Sequence, residues 1–172
     1  MVVALVALSA FGLLLILARR LRDLEERVNM FLPAAVGMLP TPGTPVAEFE
    51  AVATDGRPVS HRDFAEGERI LALLTTGCGD CITAAAEFRQ HAGSLNPPPV
   101  VGVIGPVEDR APIVAQLEGS VQVLEEAAFG PVATALEINE FPAVLLIRDG
   151  QIQFADHAVE PVLARLTAGT PH

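Results

Sequence analysis

The two cysteines of this chain, Cys78 and Cys81, are its only ones, and two residues separate them. They fall in the run Leu71-Ala-Leu-Leu-Thr-Thr-Gly-Cys-Gly-Asp-Cys-Ile-Thr, directly after an apolar strand-like stretch and directly before a helix-like one. A strand feeding a helix through this spacing sets the first sulfur at the helix N-terminus. There the free N–H groups and the positive end of the dipole stabilise a thiolate. The second sulfur lies one turn on, near enough to close a disulfide with the first. A zinc half-site and two unrelated buried cysteines are the competing readings. A structural zinc site wants four ligands, usually a second such pair or a spaced pair of histidines. No second pair exists, and His61, His91, His157 and His172 are scattered along the chain. The motif therefore favours a redox dithiol, with no metal and no organic cofactor implied.

Residues 2–18 form an almost uninterrupted apolar run. Roughly 17 residues is the short end of what crosses a bilayer as a helix. A cleaved signal peptide would need basic residues before the run, where only Met1 stands. It would also need small residues at a cleavage site, where the chain reads Leu17-Ala18-Arg19-Arg20. A retained transmembrane anchor over residues 1–18 is the expectation. Arg19, Arg20, Arg22 and Arg27 follow the run, and the positive-inside rule places them, with everything after them, in the cytoplasm. Asp23, Glu25 and Glu26 count for little in that rule.

Beyond the anchor, about 150 residues suffice for one domain with a sizeable core. A formal net charge of −10 and a sequence pI near 4.7 argue against nucleic acid or anionic lipid as a partner. The absence of Trp and Tyr removes the usual platform for stacking bases.

Residues 21–32 repeat apolar positions at three and four, as in a short juxtamembrane helix. Residues 33–45 carry Pro33, Pro40, Pro42 and Pro45 with Gly37 and Gly43, a density that leaves only a linker. Residues 19–45 thus join the anchor to a domain over residues 46–172. In that domain strands are expected over 46–53, from 59, and over 69–74, 100–104 and 121–124. Asp63, three residues after Ser60, suits a helix entry. Helices are expected over 82–91, with Ile82, Ala85, Ala86 and Phe88 inward, then over 111–117 and 132–136. Asp149-Gly150 between apolar runs signals a hairpin of 143–147 with 151–155. A closing helix follows over 159–168, with Val162, Leu163 and Leu166 inward. The order implies an α/β fold, a central mixed sheet with helices on both faces.

Three groups of residues together resemble the thioredoxin superfamily, in particular its membrane-anchored TlpA/ResA/MauD branch. They are Thr76-Gly77-Cys78-Gly79-Asp80-Cys81, then Phe141-Pro142 before the strand Ala143-Val-Leu-Leu-Ile and the turn Asp149-Gly150, and the segment from Ala127 to Pro142. Ala18-Arg19 and Leu24-Glu25-Glu26-Arg27 after the apolar run are similar to the start of MauD, whose family assists maturation of methylamine dehydrogenase. The resemblance implies a thioredoxin-like fold and a cis peptide before Pro142, packed beside the cysteines. It implies thiol–disulfide exchange with protein clients that carry thiols or disulfides, a membrane redox partner, and a domain outside the cytoplasm. The last point opposes the arginine pattern, and it is the expectation adopted.

On that basis Cys78 is the nucleophile and Cys81 resolves the mixed disulfide. Gly79, Asp80, Phe141 and Pro142 shape the client groove. The chain also departs from the family. Gly77 stands where most thioredoxins place tryptophan, and Ala72 where thioredoxin carries a buried aspartate. Asp80 puts negative charge beside both sulfurs; either it disfavours a thiolate and so favours a reductant over a strong oxidant, or it points to solvent and is screened. A peroxidase of the peroxiredoxin class fits Thr75 but asks for proline where Leu71 stands. A non-catalytic membrane adaptor has no need of both thiols.

Overall fold

The computed structural model describes residues 39–128 and 130–168. The expected anchor, the juxtamembrane helix and the linker as far as residue 38 lie outside the described residues. Among the described residues no helix is long and apolar enough to cross a membrane.

The run Ile70-Leu-Ala-Leu-Leu74 has no polar side chain to offer to solvent, so it suits a strand covered on both faces. It forms the middle of β3 (Glu68–Thr75), the central strand of a five-stranded sheet. On one side β3 pairs in parallel with β4 (Val100–Ile104), which pairs in parallel with β5 (Gln122–Glu126). On the other it pairs antiparallel with β6 (Ala143–Arg148), which turns back into β7 (Gln151–Asp156). A two-stranded ribbon, β1 (Glu50–Val52) with β2 (Pro58–Ser60), forms a second, smaller sheet. The sheet is mixed, as the sequence implied.

Side chains alternate across the sheet with period two. Leu71, Leu73, Leu145 and Ile147 join a core with Phe49, Val59, Phe64, Val132 and Ile138. That face is covered by the ribbon, a 3-10 turn (His61–Phe64) and the short helix α3 (Pro131–Ala135). Ile70, Ala72, Leu74, Val101, Val144 and Leu146 point the other way, onto α1 (Gly79–His91), α2 (Val107–Leu117) and α4 (Val159–Ala168). The 3-10 turn carries the expected entry signal, with the Ser60 N–H donating to Asp63 Oδ2 at 2.6 Å.

Three expectations need correction. The inner face of α1 is Cys81, Ala84, Ala85 and Phe88, whereas Ile82 is 48% exposed and Ala86 also faces out. A thiol packs as a small hydrophobe, and counting Cys81 among the core residues sets the helix phase. The first strand is shorter than residues 46–53, because only Glu50–Val52 pairs in a ladder, with β2, while Ala53 makes a single bridge to Leu124. The linker does not run free to Pro45. The Gly43 N–H donates to the Ile152 carbonyl at 2.7 Å, Ile152 N–H to Thr44 at 2.9 Å, and Val46 N–H to Gly150 at 2.9 Å. These bonds lay residues 43–46 along the edge of β7, which blunts that edge.

Candidate active site

Strand β3 ends where its successors leave the ladder. The Thr76 N–H still donates to the Ile104 carbonyl at 3.0 Å, but Gly77 takes a φ of +77°, a conformation open to glycine. The turn delivers Cys78 in extended backbone, φ −100° and ψ 120°, as the N-cap of α1. Its Sγ stands where a serine or aspartate oxygen caps other helices, and it accepts the Cys81 N–H at 3.2 Å. Negative charge forming on this sulfur meets unpaired N–H groups and the positive end of the helix.

The two sulfurs differ in access. Cys78 is half-buried, whereas Cys81 is wholly buried among Ala72, Leu74 and Ala85. Cys81 Sγ accepts the Thr75 N–H at 3.4 Å. Burial pushes the Cys81 thiol up to about 12. Its hydrogen bond with Cys78 adds to the rise, the Thr75 N–H opposes it, and the charges of Cys78 and Asp80 add the rest. Gly79 and Asp80 form the exposed first turn between the sulfurs.

The second wall comes from the loop entering β6. The Phe141–Pro142 peptide is cis, and the Phe141 carbonyl oxygen lies 3.9 Å from Cys78 Sγ. Pro142 is buried, and Phe141 is half-buried against the cores on both faces of the sheet. The fold thus brings Cys78, Gly79, Asp80, Cys81, Phe141 and Pro142 to one end of the sheet. A reactive sulfur, a protected second thiol and a fixed peptide beside them can carry out thiol–disulfide exchange.

Ala72 is fully buried on the Cys81 face, so β3 supplies no carboxyl beneath the pair. Among the described residues the buried carboxyl is that of Glu126, which sequence reasoning missed. It accepts the N–H groups of Val132 at 2.9 Å and Ala133 at 3.4 Å. Those residues belong to the core on the opposite face from Cys81, so Glu126 caps α3. Burial pushes the Glu126 carboxyl up, partly offset by the two N–H bonds. Gly130 makes room for it: a Cβ there would lie 2.6 Å from Glu126 Oε2.

His157 and Glu140 were also missed. The Pro142 carbonyl can only accept, so His157 Nδ1–H donates to it, at 2.7 Å. His157 Nε2 lies 3.5 Å from Glu140 Oε2. The signal lies in the strand register, Val144 opposite Asp156, which returns the end of β7 to the loop before β6. Among the described residues no three His, Cys, Asp or Glu side chains come together to hold a metal ion.

The fold is shared with solved structures. The thioredoxin domain of a thiol-disulfide oxidoreductase from Bacteroides vulgatus superposes with a TM-score of 0.61 at 13% identity, covering 74% of this chain and 96% of that one. The chain has the thioredoxin fold. A secreted Mycobacterium tuberculosis disulfide oxidoreductase, homologous to the DsbE of Escherichia coli, shares that fold with a TM-score of 0.57 at 20% identity, covering 70% and 95%. A thio-disulfide isomerase from Thermus thermophilus shares it at 0.58 and 19%, covering 77% and 99%. No protein-family model and no curated protein matches the sequence.

Proposed function

We propose that this chain is a membrane-tethered thiol–disulfide oxidoreductase acting on protein clients through Cys78 and Cys81. The observation that carries the reading is the asymmetry of the pair. A reachable sulfur caps a helix against a cis-proline loop, and its wholly buried partner sits one turn below.

The Cys78 thiolate attacks one sulfur of a client disulfide. That S–S bond breaks, one client thiolate leaves, and Cys78 is joined to the client. Cys81 then passes its proton to the departed client thiolate, directly or through water, and attacks Cys78 Sγ. The Cys78–client bond breaks, the second client thiolate leaves, and the client has gained the two electrons that the pair has lost. Cys81, held at about 12, keeps its proton until the mixed disulfide forms, so it does not compete for clients. Phe141 and Pro142 form the wall along which the client chain lies. The negative charge of Asp80 tilts the pair toward the reducing direction.

The apolar run over residues 2–18 supports the tether, and disulfide chemistry supports a domain outside the cytoplasm, where protein disulfides persist. The residues after the run support a MauD-like role in maturing a disulfide-containing or cytochrome-type exported protein, served by a membrane redox partner. Carbonate should leave the full chain in the membrane. A membrane-impermeant thiol reagent should label Cys78 in cells whose inner membrane is intact, and labelling only after lysis of that membrane would reverse the orientation. For the chemistry, equilibrating the purified chain with dithiol and disulfide buffers should give one two-electron transition ending in a Cys78–Cys81 disulfide. Two independent thiol modifications in its place would defeat the exchange reading.

A further inference from the structure

We propose that His157 is a positioning residue for client exchange, acting through the Phe141–Pro142 loop. The proposal rests on the exchange reading given above. The Phe141 carbonyl faces the Cys78 sulfur. Both neighbours of Phe141 in sequence meet a single imidazole, Pro142 through a hydrogen bond and Glu140 through proximity alone. Nδ1–H donates to the Pro142 carbonyl at 2.7 Å, and Nε2 lies 3.5 Å from the Glu140 carboxylate. The peptide against the nucleophile is therefore bracketed by contacts to one side chain from a different strand end.

His157 is itself well placed to act as a fixed post. The residue before it, Asp156, pairs with Val144 in the sheet, and Asp156 Oδ1 accepts the Ala158 N–H at 2.9 Å. The residue two on, Val159, is fully buried at the start of α4. The ring thus leaves the sheet at a position fixed from both sides and reaches across to the loop. The two contacts differ in weight. The one to Glu140 joins two half-exposed side chains and is screened by solvent. The one to Pro142 is a short bond to a backbone carbonyl that β6 does not use, so it carries the positioning. A client chain lying along residues 140–142 needs that backbone in one place, whereas a small disulfide needs only the Cys78 sulfur.

This difference supplies a test that loss of stability does not imitate. The full chain in detergent, with both cysteines reduced, would be reacted with insulin and with 2-hydroxyethyl disulfide. Three variants would be compared with the native chain. His157→Ala removes both contacts. His157→Asn keeps an N–H at the position of Nδ1. His157→Gln places one nearer the position of Nε2. His157 is exposed, so the variants are expected to fold. We expect Ala and Gln to slow the insulin reaction by about fivefold, the rate equivalent of one hydrogen bond's net contribution, with the small disulfide unaffected. Asn should restore the insulin rate. Equal slowing with both disulfides, no slowing with either, or rescue by Gln and not Asn would overturn the proposal. A native chain inert to both disulfides would overturn the exchange reading and this proposal with it. An active native chain whose rate ratio does not move overturns this proposal alone.

Discussion

The Thr75 N–H points at the Cys81 sulfur from 3.4 Å, so the last residue of the central strand holds the buried thiol of the pair. The strand and the helix after it therefore fix both sulfurs. Cys78 caps α1, and Cys81 is gripped beneath it.

Burial holds Cys81 at about 12 in the folded dithiol, against an ordinary thiol value of 9.0. The folded state binds that proton more tightly than the unfolded chain does. The stabilisation is present in full below about pH 9 and is lost as the pH rises toward 12. All 11 basic residues are arginine and there is no tyrosine, so few other side chains titrate in that window. Denaturant midpoints measured upward from about pH 8 should fall for the dithiol form and stay level for the disulfide form, in which neither sulfur holds a proton. Equal behaviour of the two forms would contradict the assignment.

Asp80 is exposed, yet its charge contributes to the rise at Cys81. Asp80→Asn should make the Cys81 thiolate less costly, so at alkaline pH, where that thiol starts to ionise, it should stabilise the reduced pair and render the disulfide more oxidising. Solvent screening limits the change to less than about 30 mV, and added salt should shrink it. A glutathione equilibrium at low and high salt measures both. A shift toward a more reducing potential would overturn the charge argument.

Glu126 satisfies two buried N–H groups at the start of α3. Glu126→Ala leaves both unpaired and should cost roughly 1–3 kcal/mol in an unfolding titration. Glu126→Gln keeps one acceptor oxygen and should cost less. Gly130→Ala presses a methyl group against the same carboxylate and should destabilise too. None of the three should change the reactivity of Cys78, because Glu126 lies on the far face of the sheet from Cys81.

Much of the domain was legible from local pattern. The run Ile70–Leu74 is apolar on every residue, which marks a doubly covered strand. Asp149-Gly150 marks a hairpin, and both residues take positive φ, +50° and +74°. The sequence showed less wherever a long-range contact decided the outcome. The phase of α1 depended on Cys81 acting as a core residue, and α2 begins at Val107 directly after Pro106, four residues before the start read from its apolar spacing. The linker end is ordered by bonds to β7 that no local signal announces. The cysteine motif and the resemblance named the six site residues. His157 stayed hidden because its link to the loop exists only once β6 and β7 are in register.

The most direct test of the account uses two single variants of the full chain, each mixed with an insulin disulfide. Cys81→Ser leaves the half-buried but reachable Cys78 without its resolving thiol, so it should accumulate a covalent complex through Cys78 that dithiothreitol releases. Cys78→Ser leaves only a wholly buried thiol, whose burial still holds it up and out of reach of a client, so it should accumulate none. Complexes trapped by Cys78→Ser in place of Cys81→Ser would contradict the assignment of the two sulfurs, and complexes from neither would contradict exchange itself.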